Sequence, residues 1–362
     1  MALLWVESMD KYSNTSDNDI FNDNFNWTGD TVNPGDMEAT SGRFGGQAYR
    51  CQSRTSPADL RIPLSAAGMS GTTAVIAFAF RFGATATASD AVQGFLDCYD
   101  AATGGTQHFS LAMTPAGSFV MFPATGAAFY SAPNVFYHRV WHWLELKVSF
   151  LDAGSFELRI DGVAVLSGSG DFRAGTGNTS TIHSVRLTGS DDSGNDDSML
   201  YGDIVILDGS GSAPYNDFLG DLRIENTIPN ADGAVANWTP LSSTNVSNID
   251  DALAAYDGNT TYISSNTDEQ VNLAAHVDHA LTNVNTIKFA QLSVMAAKET
   301  AGKNVAPRVV SGATSVDGAT ITPLVQPDYT WCNAIWTVDP NTSSAWTKAN
   351  INAAEWGVKT KA

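Results

Sequence analysis

Hydrophobic and polar positions alternate with a period of two along most of the chain. Residues 143–150 read WLELKVSF, with Leu144, Leu146, Val148 and Phe150 on one face and Trp143, Glu145, Lys147 and Ser149 on the other. After Asp152-Ala153-Gly154 the alternation resumes with Phe156, Leu158 and Ile160. Asp161-Gly162 then supplies the left-handed turn of a two-residue hairpin into residues 163–166. Residues 74–82 (AVIAFAFRF) begin apolar on both faces, as a central strand of a sandwich requires. Short strands are expected at 95–99, 109–113, 119–122 and 203–207. The second half adds strand-like pieces at 287–295, 308–310 and 335–338, and short helices near 248–256 and 347–356, the latter stopped by Gly357. Such segments, separated by Gly, Asp and Pro turns and free of heptads or internal repeats, predict an all-β protein. The stretch from Asp208 to Asp217 (DGSGSAPYND) is the best separator. It divides the chain into a first domain at 1–208, a linker at 209–217 and a second, smaller β-rich domain with a few short helices at 218–362.

The length of 362 residues is enough for two domains that each bury a core. Charged residues make up only 16% against 43% apolar, which excludes a disordered acidic chain and a charge-laced helical one. With 38 acidic and 19 basic residues the formal charge is −19. A nucleic-acid partner, which needs clustered Lys and Arg, is excluded on that ground. No stretch approaches the roughly 18 apolar residues of a membrane span. The opening MALLWVE lacks the basic and apolar regions of a secretory signal. Cys51, Cys98 and Cys332 have no C-x-x-C spacing and read as small buried apolar residues of a chain made in a reducing compartment.

The first half resembles the concanavalin A-like jelly-roll sandwich of the laminin G and pentraxin type. The likeness rests on Val6–Tyr12 (VESMDKY), Ser41–Tyr49 (SGRFGGQAY), Trp143–Val148 (WLELKV), Gly154–Val163 (GSFELRIDGV) and Tyr201–Leu207 (YGDIVIL). The second half resembles the C-terminal region of tailed-bacteriophage virion proteins that carry such a sandwich. Its motifs are FLGDLR at 218–223, DGNTTY at 257–262, VAPRVVSG at 305–312 and WTVDPNT at 336–342, the last running on to AWT at 345–347 and EWGV at 355–358. This resemblance implies a structural protein of the virion, on the tail or on the head, made in the host cytoplasm. Its partners would be other virion proteins and copies of itself.

Enzymatic chemistry finds little support in the residues. A glycosidase needs two carboxylates on one strand face, an E-x-D-x-E type alternation. Here Glu145 is followed by Lys147 and Glu157 by Arg159, mixed charges that read as a solvated face. His138 and His142 lie about 13 Å apart if the run FYHRVWHW is a strand, and neither they nor His276 and His279 have a third ligand nearby in sequence. No cofactor is required. Calcium is the one candidate, because hard oxygen ligands stand at Asp97 and Asp100 and in the loop with Asp191, Asp192, Asp196 and Asp197. The plainer reading of that loop is a solvated acidic turn. Phe129, Tyr130, Phe136, Tyr137 and Trp141 cluster around Pro133-Asn134 and could stack on sugar rings, although alternating aromatics also fill sandwich cores. Trp336, Trp346 and Trp356 belong to either an interface or the core of the second domain.

These observations lead us to expect a non-enzymatic structural protein of a tailed-phage particle, acting through subunit packing, with neither membrane nor nucleic acid as partner. A carbohydrate-binding module that touches host surface glycans is the alternative, and a polysaccharide hydrolase a more distant third.

Overall fold

The computed structural model describes residues 3–12, 36–38, 41–51, 59–64, 68–82, 93–102, 104–114, 116–174, 181–189, 199–252, 257–279, 286–326 and 328–362. The chain forms two compact units, the first ending at Ile224 and the second running from Glu225 to Ala362. Both are built from antiparallel strands, so the protein is all-β, a jelly-roll sandwich followed by a smaller β-rich unit. Among the described residues, no helix is long and apolar enough to cross a membrane.

In the first unit the strands are β1 (Leu3–Glu7), β2 (Asp36–Glu38), β3 (Ala48–Cys51), β4 (Asp59–Pro63), β5 (Thr73–Phe82), β6 (Gln93–Tyr99) and β7 (Gln107–Met113). They continue with β8 (Phe119–Phe122), β9 (Phe129–Tyr130), β10 (His142–Ser149), β11 (Gly154–Ile160), β12 (Val163–Gly170), β13 (Ser184–Thr188) and β14 (Met199–Leu207). One sheet has the order β12-β11-β10-β5-β14-β3-β2, with β1 also pairing β14, and the other has the order β4-β13-β6-β7-β8-β9. The Asp161-Gly162 hairpin forms as the sequence predicts, Ile160 pairing with Val163 and both turn residues taking positive φ.

Aromatic rings from both sheets meet in the middle. Phe78 and Phe80 of β5 lie 5.4 and 5.1 Å from Phe95 of β6, and Phe80 lies 6.1 Å from Phe119 of β8. Tyr201 of β14 brings its hydroxyl across the core to donate to the Thr188 carbonyl at 2.6 Å, which satisfies a buried polar group inside the apolar layer. Cys51 and Cys98 are buried here and Cys332 in the second unit; burial pushes all three thiols up, Cys332 to about 12.

The opposite face of the eight-stranded sheet is not solvated, contrary to the reading of Glu145 and Lys147 above. Residues 217–223 run across it as a strap. Glu145, only 1% exposed, accepts the Leu219 and Gly220 N–H groups on Oε1 at 2.8 and 2.9 Å. Lys147 pairs with Asp217, Arg159 lies 3.8 Å over the Phe218 ring, and Leu222 packs against Ala77, Ala79 and Trp143. Arg43 grips both oxygens of Asp221, at 2.5 and 2.7 Å. These contacts keep 218–224 with the first unit, so the chain parts after Ile224 and not within 209–217.

The second unit contains β15 (Pro229–Ala236), β16 (Thr239–Pro240), β17 (Ile263–Ser264), β18 (Val271–His276), β19 (Ala290–Ala296), β20 (Asn304–Ser311), β21 (Thr314–Asp317), β22 (Thr330–Trp336) and β23 (Glu355–Lys361). A five-stranded sheet has the order β15-β18-β23-β20-β21, beside the pairs β16-β17 and β19-β22. One short helix, α1 (Lys348–Ala353), starts where the sequence predicts, capped by Thr347, whose hydroxyl accepts from the Asn350 N–H at 3.1 Å. Of the helix expected near 248–256, the described residues 249–252 are not helical and follow a 3-10 turn at Val246–Asn248; residues 253–256 lie outside the described residues.

Candidate functional site

The outer face of the six-stranded sheet gathers side chains from five strands into one row. Arg61 of β4 pairs with Arg186 of β13, Arg186 with Asp97 of β6, Asp97 with Ser110 of β7, and Ser110 with Phe122 of β8. Cross-strand partners share a face, and with about 4.8 Å between strands the row spans roughly 19 Å. Strand alternation explains the direction. Leu60, Ile62, Val185, Leu187, Leu111 and Met121 are fully buried, and the residues between them face away from the core. In β6 a register shift between Gly94 and Leu96 lets Phe95 and Leu96 both fill the core, which re-aims Asp97 outward.

At one end of the row lies a charged network. Arg186 sends Nε and Nη2 to Asp97 Oδ2, at 2.9 and 2.5 Å, and Nη1 to Asp59 Oδ2 at 3.4 Å. Gln107 Nε2 donates to Asp97 Oδ1 at 2.7 Å. Arg61 lies 4.5 Å over the Tyr99 ring and donates from Nη2 to the Gly104 carbonyl at 3.2 Å. Burial raises the pKa of both Asp97 and Asp59, and the Arg186 charge opposes it. Burial lowers Arg61; it pulls on Arg186 as well, but there Asp97 outweighs it and the guanidinium is held more tightly protonated. Arg61 Nε and Asp59 Oδ1 are buried without a hydrogen-bond partner, and Arg61 has no ion-pair partner among the described residues.

The other end is aromatic. Phe122 is 36% exposed, Tyr130 shares its face through the Val120–Tyr130 pair, and half-buried Ser110 lies between Phe122 and Asp97. The set offers guanidinium, carboxylate, amide, hydroxyl and ring on one surface. Its two carboxylates are bridged by Arg186 and are not disposed as a free acid and a free base.

The aromatic residues singled out in the sequence do not form one surface. Phe136 lies in the core, 5.7 Å from Phe80, and Phe129 packs 5.3 Å from Phe156. Trp141 is half-buried against Trp143 on the eight-stranded sheet. Only Tyr130 and Tyr137 project, each 66% exposed. The run FYHRVWHW is no continuous strand, because Arg139 takes a φ of 63° and β10 begins at His142. Asp97 is engaged by Arg186, and Asp100 Oδ1 instead accepts the Thr106 N–H at 2.6 Å, so the two do not converge on a cation. Asp191, Asp192, Asp196 and Asp197 lie outside the described residues, and among the described residues no three His, Cys, Asp or Glu side chains gather as metal ligands. Trp336, Trp346 and Trp356 are core: their rings lie 5.7 and 5.6 Å apart around Trp356, and Trp346 Nε1 donates to the Trp336 carbonyl at 3.0 Å. Of the outer-face row, the sequence reading named only Asp97. Alternation in DLRIP (59–63) and SVRLT (184–188), charged outside and aliphatic inside, is the signal that points to Arg61 and Arg186.

No protein-family model and no curated protein matches the chain. Among solved structures, an endo-β-1,4-glucuronan lyase from the fungus Trichoderma reesei is 14% identical over 50% of this chain and 90% of its own, with a TM-score of 0.36. Alginate lyase Aly36B is 13% identical over 57% of this chain and 96% of its own, with a TM-score of 0.37. A Trypanosoma rangeli sialidase is 12% identical over 45% of this chain but only 25% of its own length, with a TM-score of 0.33. Likeness of this degree carries no argument about activity.

Proposed function

We propose that this chain is a non-enzymatic structural protein of a tailed-phage particle, displayed on the tail or the head, whose two β units serve as contact surfaces for copies of itself and for neighbouring virion proteins. The single observation that supports the non-enzymatic reading is the Asp97–Arg186–Asp59 bridge. A carboxylate whose charged form is held by a guanidinium is a poorer proton carrier than a free one, and neither Asp97 nor Asp59 is free. The virion reading draws on the ordered motifs of the second half, whose residues have structural roles here. Asp339 accepts from the Asn341 N–H and from Asn350 Nδ2, and Trp346 and Trp356 form the core. The test is quantitative mass spectrometry of gradient-purified particles. The chain should co-sediment at a fixed copy number per particle; its presence only in the soluble fraction of the lysate would overturn the proposal.

A second reading, recognition of host glycans, is favoured by Tyr130, Tyr137 and Phe122, which keep their rings at the surface of the sandwich.

A further inference from the structure

We propose that the free edge of β12 is a self-association site, where the same strand of a second copy of this chain adds antiparallel to the eight-stranded sheet across a twofold axis. This rests on the reading of the chain as one that packs against its own copies, and it names the surface they use. β12 ends its sheet, with β11 as its one neighbour. The hydrogen bonds tell which of its backbone groups are unused. The Asp161 N–H donates to the Trp143 carbonyl, so Leu144–Ile160 is a non-hydrogen-bonded pair of β10 and β11. By alternation β11 turns the N–H and C=O of Phe156 and Leu158 toward β12. Their partners Gly168 and Leu166 turn inward to meet them, and the N–H and C=O of Ser167 and Ser169 point out of the sheet. Among the described residues nothing bonds these outward groups. Cross-chain bonding resumes only past the strand, where the Asp171 carbonyl accepts the Ala124 N–H at 2.8 Å.

Charge selects the occupant. At −19 the chain repels its own copies, so self-pairing is favoured where no like charges meet. Four strands end the two sheets of the sandwich. β2 carries Asp36 and Glu38, β4 carries Asp59 and Arg61, and β9 is two residues long. β12 is eight residues long and reads VAVLSGSG, without charge. Exposed edges are blunted by Lys, by Pro or by brevity, and β12 uses none of these. Its one irregularity lies toward the turn, and from Leu166 to Gly170 the register with β11 is unbroken. The charges that flank it in sequence or on β11 are engaged within the chain: Asp161 with His142, Glu157 with Arg159, and Asp171 with the Thr125 hydroxyl. A Cβ on Gly168 would come within 2.6 Å of the Phe129 ring of β9, so that ring backs the edge and holds it in place before a partner arrives. Val163, 65% exposed, adds an apolar side chain to cover. An uncharged strand is its own complement when paired antiparallel, which is the isologous contact of a twofold dimer.

The test is sedimentation velocity of the full chain over rising concentration, joined to amide hydrogen exchange. A monomer–dimer equilibrium is expected. Exchange at Ser167 and Ser169 should slow as dimer forms, while Leu166 and Gly168 stay protected throughout. Ser167→Pro removes an outward N–H and no bond within the sheet, so it should keep the melting temperature and weaken the dimer by about ten-fold or more. Ser169→Lys, which sets like charges on the two paired edges, should weaken it likewise and carries the test if the proline variant does not fold. The inference is overturned if the chain stays monomeric up to about 1 mM, or if it dimerises with both folded variants unchanged. Protection of Ser167 and Ser169 gained only in an assembled particle, with the free chain monomeric, would give the edge to another protein and overturn it as well. Failure here leaves the virion reading intact, because that reading is decided by copy number in purified particles; a β12 dimer found only in the soluble lysate would do the reverse.

Discussion

Arg186 and Asp97 face each other across the β13–β6 pair, and two N–H groups of the guanidinium, Nε and Nη2, converge on the single oxygen Asp97 Oδ2. Asp97 is 5% exposed, so its charge depends on that partner. Removing one member of a buried pair leaves the other uncompensated. Arg186→Met is expected to destabilise the first unit by about 3 kcal/mol at neutral pH, measured by urea unfolding. The double variant Arg186→Met with Asp97→Leu should recover most of the loss, and a double variant as unstable as the single would refute the pairing as the cause.

Asp203 gives the fold a pH dependence. It occupies the irregular part of β14 with a φ of 49° and is 8% exposed. Burial first, and the neighbouring Asp10 second, push its carboxyl from 3.8 to about 7. The folded protein therefore holds this proton longer than the unfolded chain does. Its contribution is fully present below the unfolded value of 3.8 and is lost as pH rises through about 7. Asp203→Asn keeps a residue that tolerates positive φ and removes the charge. The variant should melt higher than the parent at about pH 8 and close to it at about pH 4; parallel melting curves across that range would refute this assignment.

Glu145 fastens the strap. Its Oε1 is the acceptor for the Leu219 and Gly220 N–H groups, 74 and 75 residues further along the chain. Glu145→Ala should cost about 1–3 kcal/mol, and it should speed hydrogen exchange at Leu219 and Gly220 well beyond its effect on β10 itself. Exchange that rises equally throughout the sheet would show that the residue supports the strand and not the strap.

In the second unit, Trp356 touches both Trp336 and Trp346 at the centre of the core. Trp356→Ala should cost about 3–5 kcal/mol, read by hydrogen exchange in β20 and β23. A loss of less than about 1 kcal/mol would be out of line with a truncated core tryptophan.

What the sequence made legible was local. The β10–β11–β12 meander could be read because its alternation and its Asp161-Gly162 turn lie within thirty residues, and short-range patterns fix register. The candidate site could not. Asp97 and Arg186 are 89 positions apart, and nothing in either segment says that β13 inserts between β4 and β6. Glu145 looked solvated because the strap that covers it lies so far along the chain. Phe129, Tyr130, Phe136, Tyr137 and Trp141 looked like one patch because they are near in sequence; β9 is only two residues long and Arg139 turns the chain, so the rings disperse to core, surface and opposite sheet. The tryptophans at 336, 346 and 356 were ambiguous because core and interface call for the same residue type.

The most direct test of a surface that binds without chemistry follows the length of an acidic polysaccharide, galacturonan or alginate, during prolonged incubation with the purified full chain. The account predicts that polymer length stays constant by size-exclusion chromatography and that no new reducing ends appear. Progressive shortening, with new reducing ends released in excess of the protein present, would contradict it.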